Sequence, residues 1–116
     1  MKDKIKIGIV GYGNIGRCVE DAIMRSPDME LKAVFTRRDP ERIGTKVNAA
    51  SLSDIEKYKG AIDVMILCSG SATDLPEQGP KISAMFNTVD SFDTHAKIPE
   101  YFSKIDESAR KHGNLS

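Results

Sequence analysis

Short apolar runs alternate along this chain with longer segments in which apolar residues recur every three or four positions. Residues 5–10 form a β-branched run that stops at a cluster of glycines, residues 31–35 form a second run, and residues 62–68 form the most apolar run of the chain. Continuous hydrophobicity is typical of a parallel strand covered on both faces, so we expect residues 62–68 at the centre of a sheet. Weaker strands are predicted near Val47 and over residues 88–92.

Helices are predicted between these runs. Apolar spacing and flanking residues indicate helices over residues 14–25, about 76–86 and about 99–112, and Gly113 is suited to end the last of them. A shorter helix with its N-cap is predicted at Ser53. Strands that alternate with helices in this way predict an α/β fold with a doubly wound parallel sheet.

Charge, cysteine content and the N-terminus exclude several classes of protein. Seventeen basic residues balance seventeen acidic ones, which disfavours a nucleic-acid partner. The charged opening and the short apolar runs disfavour a signal peptide or a membrane span. Cys18 and Cys68 lie in apolar settings and are interpreted as buried free thiols of a reducing compartment, and no metal-ligand spacing is present. We therefore expect a soluble cytoplasmic protein without a metal site.

The glycine cluster after the first strand matches the pattern G-x-G-x-x-G at Gly11, Gly13 and Gly16. This pattern follows a strand and opens a helix, which is the context that a dinucleotide requires. Gly11 permits the tight turn, Gly13 lets the backbone approach a pyrophosphate, and Gly16 lets helix and strand pack closely. The motif predicts a Rossmann-type dinucleotide-binding fold, and the alternative is an ordinary tight turn between strand and helix.

The end of the second strand carries Thr36, Arg37 and Arg38 where NAD-binding folds place an acidic residue. Guanidinium groups present forked donors that match phosphate oxygens, so these residues favour the 2′-phosphate of NADP. The alternative is that both arginines are solvated loop charges, partly offset by Asp39 and Glu41.

Two further groups of residues follow later strands. The small residues over 68–74 permit a ligand to lie against the backbone, or they form a loop with no ligand. Asp90, Asp93 and His95 cluster after the next strand, where a carboxylate could hold a substrate ammonium group. The alternatives are a turn or cap residue, a solvated acid and a surface histidine.

Several of these segments together resemble meso-diaminopimelate D-dehydrogenases. The resemblance is carried by residues 10–17, 35–38, 71–74 with 76–78, and 88–93, and it runs the full length of the chain. It implies an NADP-dependent enzyme that deaminates the D-centre of meso-2,6-diaminopimelate to give L-2-amino-6-oxopimelate and ammonia. It also implies that the intact protein is a homodimer.

The resemblance implies specific contacts in this chain. No catalytic residue is implied here; the implied cofactor contacts are Tyr12, Gly13, Asn14 and Ile15 at the pyrophosphate, Thr36, Arg37 and Arg38 at the 2′-phosphate, Cys68, Ser69, Gly70 and Ser71 along the cofactor, and Ser91, Phe92 and Asp93 at the nicotinamide. Asp93 is also implied to touch the D-amino acid end of the substrate.

Two departures from the family qualify this interpretation. Ser69 stands where the family usually has Met, and the sequence ends just before the family's Trp-Asp-Pro-Gly segment, with residues 114–116 resembling the start of another strand. We therefore expect residues 1–116 to form a dinucleotide-binding domain without the substrate and dimerisation domain, and to be inactive alone. Two alternatives remain open: a stand-alone dinucleotide-sensing module, or the first domain of another reductase, such as one acting on dihydrodipicolinate or on sugars.

Overall fold

Five parallel strands form one sheet in the computed structural model, which describes residues 4–37, 40–45, 47–69, 74–91 and 97–116. The strands are β1 (Ile5–Val10), β2 (Met29–Thr36), β3 (Ala49–Ser51), β4 (Val64–Leu67) and β5 (Asn87–Asp90). They lie in the order β3-β2-β1-β4-β5, and every neighbouring pair is parallel. This order matches the first five positions of the Rossmann sheet.

Among the described residues, three α-helices and two short 3₁₀ helices lie between or after the strands. They are α1 (Asn14–Met24), α2 (Leu75–Ser83) and α3 (Ile98–His112), with the 3₁₀ helices at Pro40–Arg42 and Leu52–Tyr58. The predicted α-helices agree with these bounds to within a few residues. Gly113 adopts a left-handed backbone with φ of 74° and ends α3, as predicted.

Each face of the sheet is covered by its own apolar layer. One layer joins β1 and β2 to α1 and includes Ile9, Ile23 and Val34. The other joins the sheet to α2, α3 and the helix Leu52–Tyr58, and includes Leu67 and Ile105. Helical cover on both faces confirms the predicted doubly wound α/β sheet. None of the described helices is long and apolar enough to cross a lipid bilayer.

Strand β1, and not the apolar run over residues 62–68, occupies the centre of the sheet. The prediction that residues 62–68 lie at the centre was wrong. This run forms β4, which pairs with β1 on one side and with the edge strand β5 on the other. The side chains of β4 alternate in burial: Met65 and Leu67 are fully buried, whereas Val64 and Ile66 are only half-buried.

Two local predictions between β2 and β4 also shift. The weak strand expected near Val47 forms at β3 instead, where three residues pair with the end of β2. The following helix begins at Leu52, and its N-cap is Ser51, whose hydroxyl accepts a hydrogen bond from the backbone N–H of Ser53. Sequence reasoning had placed the cap at Ser53. Serine is a preferred N-cap residue, so residue preference alone could not show whether Ser51 or Ser53 caps the helix.

The last residues of the chain lie beside β5. The backbone N–H of Thr88 donates to the carbonyl of Leu115 at 2.9 Å, and the N–H of Leu115 donates to the Asn87 side chain at 2.9 Å. The hydroxyls of Thr88 and Ser116 are 2.6 Å apart. Residues 114–116 thus follow the sheet as expected, although they do not form a strand.

Candidate dinucleotide site

The carboxyl ends of β1, β2 and β4 meet at one edge of the sheet. Val10 is in register with Phe35 on one side and with Leu67 on the other. The chain winds outward from β1 in both directions, which opens a crevice between the loops that follow β1 and β4. A cleft of about 600 Å³ lies there, lined by Val10, Gly11, Tyr12, Gly13, Phe35, Thr36, Arg37, Leu52, Cys68, Ser69, Asp74 and Gln78.

Two glycines shape the turn between β1 and α1 by their lack of a side chain. Gly11 has φ of +89° and donates its N–H to the carbonyl of Phe35 at 2.9 Å. A Cβ on Gly11 would lie 2.9 Å from the Ser69 hydroxyl, and a Cβ on Gly16 would overlap the carbonyl oxygen of Gly11. The roles predicted for Gly11 in the turn and for Gly16 in helix packing are therefore confirmed.

Gly13 differs from both, because a Cβ there would meet no atom of the described residues within 4 Å. It lies on the wall of the cleft at the N-terminus of α1, and within the part of the chain that the structure describes, no side chain caps that helix and no carboxylate lies in its first turn. Free N–H groups and the positive end of the helix dipole are thus available to an anion. The open space in front of Gly13 leaves the backbone accessible to a group in the cleft.

An ion pair with Asp74 holds the Arg37 side chain at the cleft. Its Nη2 lies 2.6 Å from Oδ1 of Asp74, and its side chain is 64% exposed, whereas that of Asp74 is 20% exposed. A guanidinium has five N–H donors, so one ion pair orients it at the cleft and leaves capacity for a second anion. Thr36 lines the same wall. Arg37 is therefore exposed, but it is held at the site and does not project freely into solvent.

A hydrogen-bonded cluster around the buried carboxylate of Glu20 holds Tyr12, which lies between the first two glycines of the turn. The hydroxyl of Tyr12 donates to one carboxylate oxygen of Glu20 at 2.5 Å, and the hydroxyl of Thr45 donates to the other. The guanidinium of Arg17 lies 4.5 Å from the centre of the Tyr12 ring and donates to the carbonyl of Ile43. Burial, and after it the hydrogen bond that the Tyr12 hydroxyl donates to Glu20, raise the pKa of Tyr12. Sequence reasoning missed this cluster because its members share no motif.

The two cysteines differ in a way that the sequence did not predict. Cys68 is buried on the wall of the cleft, and its burial raises the pKa of its thiol to about 11. Cys18 is exposed, so the expectation that both thiols are buried was wrong for this residue. Residue 18 lies on the solvent side of α1, whose inner face is formed by Gly16, Glu20 and Ile23.

This difference predicts selective thiol chemistry. With a disulfide reagent at pH 8, we expect one thiol, that of Cys18, to react rapidly, and Cys68 to react only after denaturation, because the thiolate is the reacting form. The Cys18→Ser variant should lose the rapid phase. Two equally rapid thiols would contradict this assignment.

The raised pKa of Cys68 also predicts a pH dependence of stability. The contribution of the protonated Cys68 thiol to the free energy of unfolding is fully present below the ordinary thiol pKa and is lost as the pH rises towards 11.

The end of β5 lies at the same edge, beside this cleft. Ser91 donates its backbone N–H and its hydroxyl to the carbonyl of Leu67, at 3.2 and 3.3 Å. Asp90 ends β5 and accepts a hydrogen bond from the Tyr101 hydroxyl at 3.0 Å. Burial, and then the negative charge of Asp90, raise the pKa of Tyr101.

The structure brings most of the described candidate residues to one place. Gly11, Tyr12, Gly13, Thr36, Arg37, Cys68 and Ser69 line the cleft. Asn14 and Ile15 are exposed in the first turn of α1, whereas Ser91 lies outside the described wall. Outside the described residues are Arg38, Gly70, Ser71, Phe92, Asp93 and His95. Asp74 and Gln78 on the wall were quoted within a family segment but were not predicted as site residues.

Comparisons with known proteins agree with this geometry. No protein-family model matches the chain. It is 61% identical over 114 residues to a meso-diaminopimelate D-dehydrogenase of Lysinibacillus sphaericus, an alignment that covers 97% of this chain and 35% of that protein.

Solved structures give the same result. The diaminopimelate dehydrogenase of Corynebacterium glutamicum in complex with diaminopimelate superimposes with a TM-score of 0.91 at 42% identity, covering 97% of this chain and 35% of that one. An engineered D-amino acid dehydrogenase bound to NADP⁺ superimposes with a TM-score of 0.90 at 43% identity, covering 95% and 34%.

The chain spans about a third of the length of these relatives. Strand order, the glycine turn and the sequence identity agree, so the resemblance found in the sequence is confirmed. Over nearly its whole length, this chain is closely similar to the N-terminal third of meso-diaminopimelate D-dehydrogenases.

Proposed function

We propose that this chain is the cofactor-binding part of an NADP-dependent meso-2,6-diaminopimelate dehydrogenase. The supporting observation is the cleft that joins a glycine turn open to phosphate with an arginine held at the end of β2. Identity of 61% to a meso-diaminopimelate D-dehydrogenase supports the choice of substrate. The reaction is the reversible oxidative deamination of the D-centre to L-2-amino-6-oxopimelate and ammonia.

The residues present fit a dinucleotide with a 2′-phosphate. Gly13 and the N-terminus of α1 would hold the pyrophosphate, since the helix end supplies N–H donors and a favourable dipole. Thr36, Arg37 and Arg38 would hold the 2′-phosphate. When bound, NADP⁺ supplies a hydride acceptor for the D-Cα of the substrate.

The remaining candidate residues have positioning roles in this proposal. Cys68 and Ser69 line the cleft after β4, where a neutral thiol and a short side chain let the cofactor pass close to the backbone. As the family resemblance implies, Gly70 and Ser71 would also contact the cofactor, and Ser91, Phe92 and Asp93 would contact the nicotinamide. Asp93 would also hold the ammonium group of the substrate's D-centre. The intact protein would be a cytoplasmic homodimer.

Binding without turnover is the expected behaviour of the 116-residue chain. Hydride transfer requires both reactants to be held together, and the chain spans about a third of the relatives that perform it. Calorimetry should show saturable binding of NADPH, and an assay with NADP⁺ and meso-diaminopimelate should show no reduction. Failure to bind NADPH would overturn the proposed cofactor role, and robust dehydrogenation would show that these residues suffice.

A further inference from the structure

Glu20 is a charged residue on the buried side of α1, where it is only 4% exposed. One of its carboxylate oxygens accepts a hydrogen bond from the Tyr12 hydroxyl at 2.5 Å, and the other accepts one from the Thr45 hydroxyl. A buried carboxylate is costly unless donors pair with it, so it constrains where those donors lie. Glu20 therefore joins the glycine turn to the segment that leads from β2 to β3.

Further contacts hold the far end of this segment against α1. The Thr45 hydroxyl, which donates to Glu20, also accepts a hydrogen bond from the backbone N–H of Val47 at 3.4 Å. The carbonyl of Ile43 accepts a hydrogen bond from the Arg17 guanidinium at 3.1 Å. The side chain of Ile43 is buried in the apolar layer that covers this face of the sheet. The segment is thus held to α1 by backbone, hydroxyl and apolar contacts together.

We propose that the contact between Glu20 and Thr45 positions the segment after β2 for the 2′-phosphate of NADP, and so favours NADP over NAD. This inference rests on the proposed function, because it takes that phosphate to lie at residues 36–38. The near end of the segment is the end of β2, where Arg37 pairs with Asp74. A segment held at both ends has fewer conformations, so it loses less entropy when a phosphate binds to it.

Removal of the Thr45 hydroxyl tests this role. Thr45→Val keeps the shape of the side chain and loses the donor to Glu20, and the residue is only half-buried, so the variant should fold. We expect NADPH binding to weaken roughly tenfold, the cost of ordering about one backbone residue on binding. NADH has no 2′-phosphate, so its dissociation constant should stay nearly unchanged. Thr45→Ser retains the hydroxyl and should keep the NADPH affinity of the unmodified chain.

Two further measurements separate positioning from a general loss of stability. Thr88→Val is the matched control, because it removes a hydroxyl that lies 2.6 Å from that of Ser116, and Thr88 is not among the described residues that line the cleft. This variant should keep the ratio of the NADH and NADPH dissociation constants. In the variant that already carries Arg37→Ala and Arg38→Ala, Thr45→Val should weaken NADPH binding no further, since the arginines to be positioned are gone. Calorimetry well below the melting temperature of each variant gives both constants.

The outcomes separate this inference from the proposed function. If the unmodified chain prefers NADPH and Thr45→Val keeps the same ratio of dissociation constants, the contact with Glu20 has only a structural role. This inference is then wrong, and the cofactor assignment stands. A full further loss of NADPH affinity in the variant without the arginines would overturn it in the same way. If the unmodified chain binds NADPH no more tightly than NADH, the 2′-phosphate assignment is wrong, and this inference fails with it.

Discussion

Replacement of Arg37 and Arg38 by alanine is expected to weaken NADPH binding roughly 100-fold while NADH binding stays nearly unchanged, since each lost charge-assisted bond costs about 1.5–3 kcal/mol. We take the lower end of that range because Arg37 is 64% exposed and Asp74 already shares its guanidinium. NADH lacks the 2′-phosphate and so has no group for these arginines to bind. Arg37→Ala alone should cost roughly tenfold.

The measurement is calorimetry with both cofactors on the unmodified chain, each variant and a charge control. Lys104→Ala provides that control, because it removes a positive charge from an exposed ion pair on α3, away from the cleft. It should leave both dissociation constants unchanged. If the unmodified chain binds NADH as tightly as NADPH, the arginines are solvated charges and the assignment of the 2′-phosphate is wrong.

Two glycines of the same motif should fail in different ways when changed to alanine. Gly13→Ala should weaken NADPH binding by about 1–3 kcal/mol, the usual cost of overpacking, or roughly 5- to 150-fold. The stability of this variant should change little, because φ is −92° and a Cβ at Gly13 has no neighbour within 4 Å among the residues that the structure describes. Gly16→Ala should instead destabilise the fold by about 1–3 kcal/mol, since its Cβ overlaps the carbonyl of Gly11.

Thermal melts and NADPH titrations of the two variants form a matched comparison. The melting temperature of Gly16→Ala should fall by several degrees, at roughly 4–8 °C per kcal/mol for a small domain. The melting temperature of Gly13→Ala should match that of the unmodified chain. Equal destabilisation of both variants, with unchanged NADPH affinity for Gly13→Ala, would show that the motif forms only a structural turn.

Local patterns were sufficient to predict most of the strands and helices of this fold and the place of its glycine turn. Apolar periodicity depends on which face each residue buries, so it identified β1, β2, α1 and α3 from sequence alone. The glycine spacing was equally informative at two positions, because the turn requires a positive φ at Gly11 and Gly16 lies against the carbonyl of Gly11, five residues earlier. The contacts of Gly11 and Gly16 in the structure agree with the roles assigned from that spacing.

Only the tertiary structure decided which strand is central and which side chains meet. The sequence shows how apolar residues 62–68 are, but the position of β4 depends on pairing with β1 and β5 from distant parts of the chain. Solvent exposure of Cys18 likewise depends on the side of α1 that faces the sheet.

The same limit applies to the polar contacts of the site. Glu20 meets Thr45 across 25 residues, and Arg37 meets Asp74 across 37. No periodicity within one element encodes such pairs, because they form only when the sheet brings its loops to one edge. Propensity and motif therefore located the turn that would bind a phosphate, while the packing of separate elements placed Asp74 and Gln78 on the wall of the cleft.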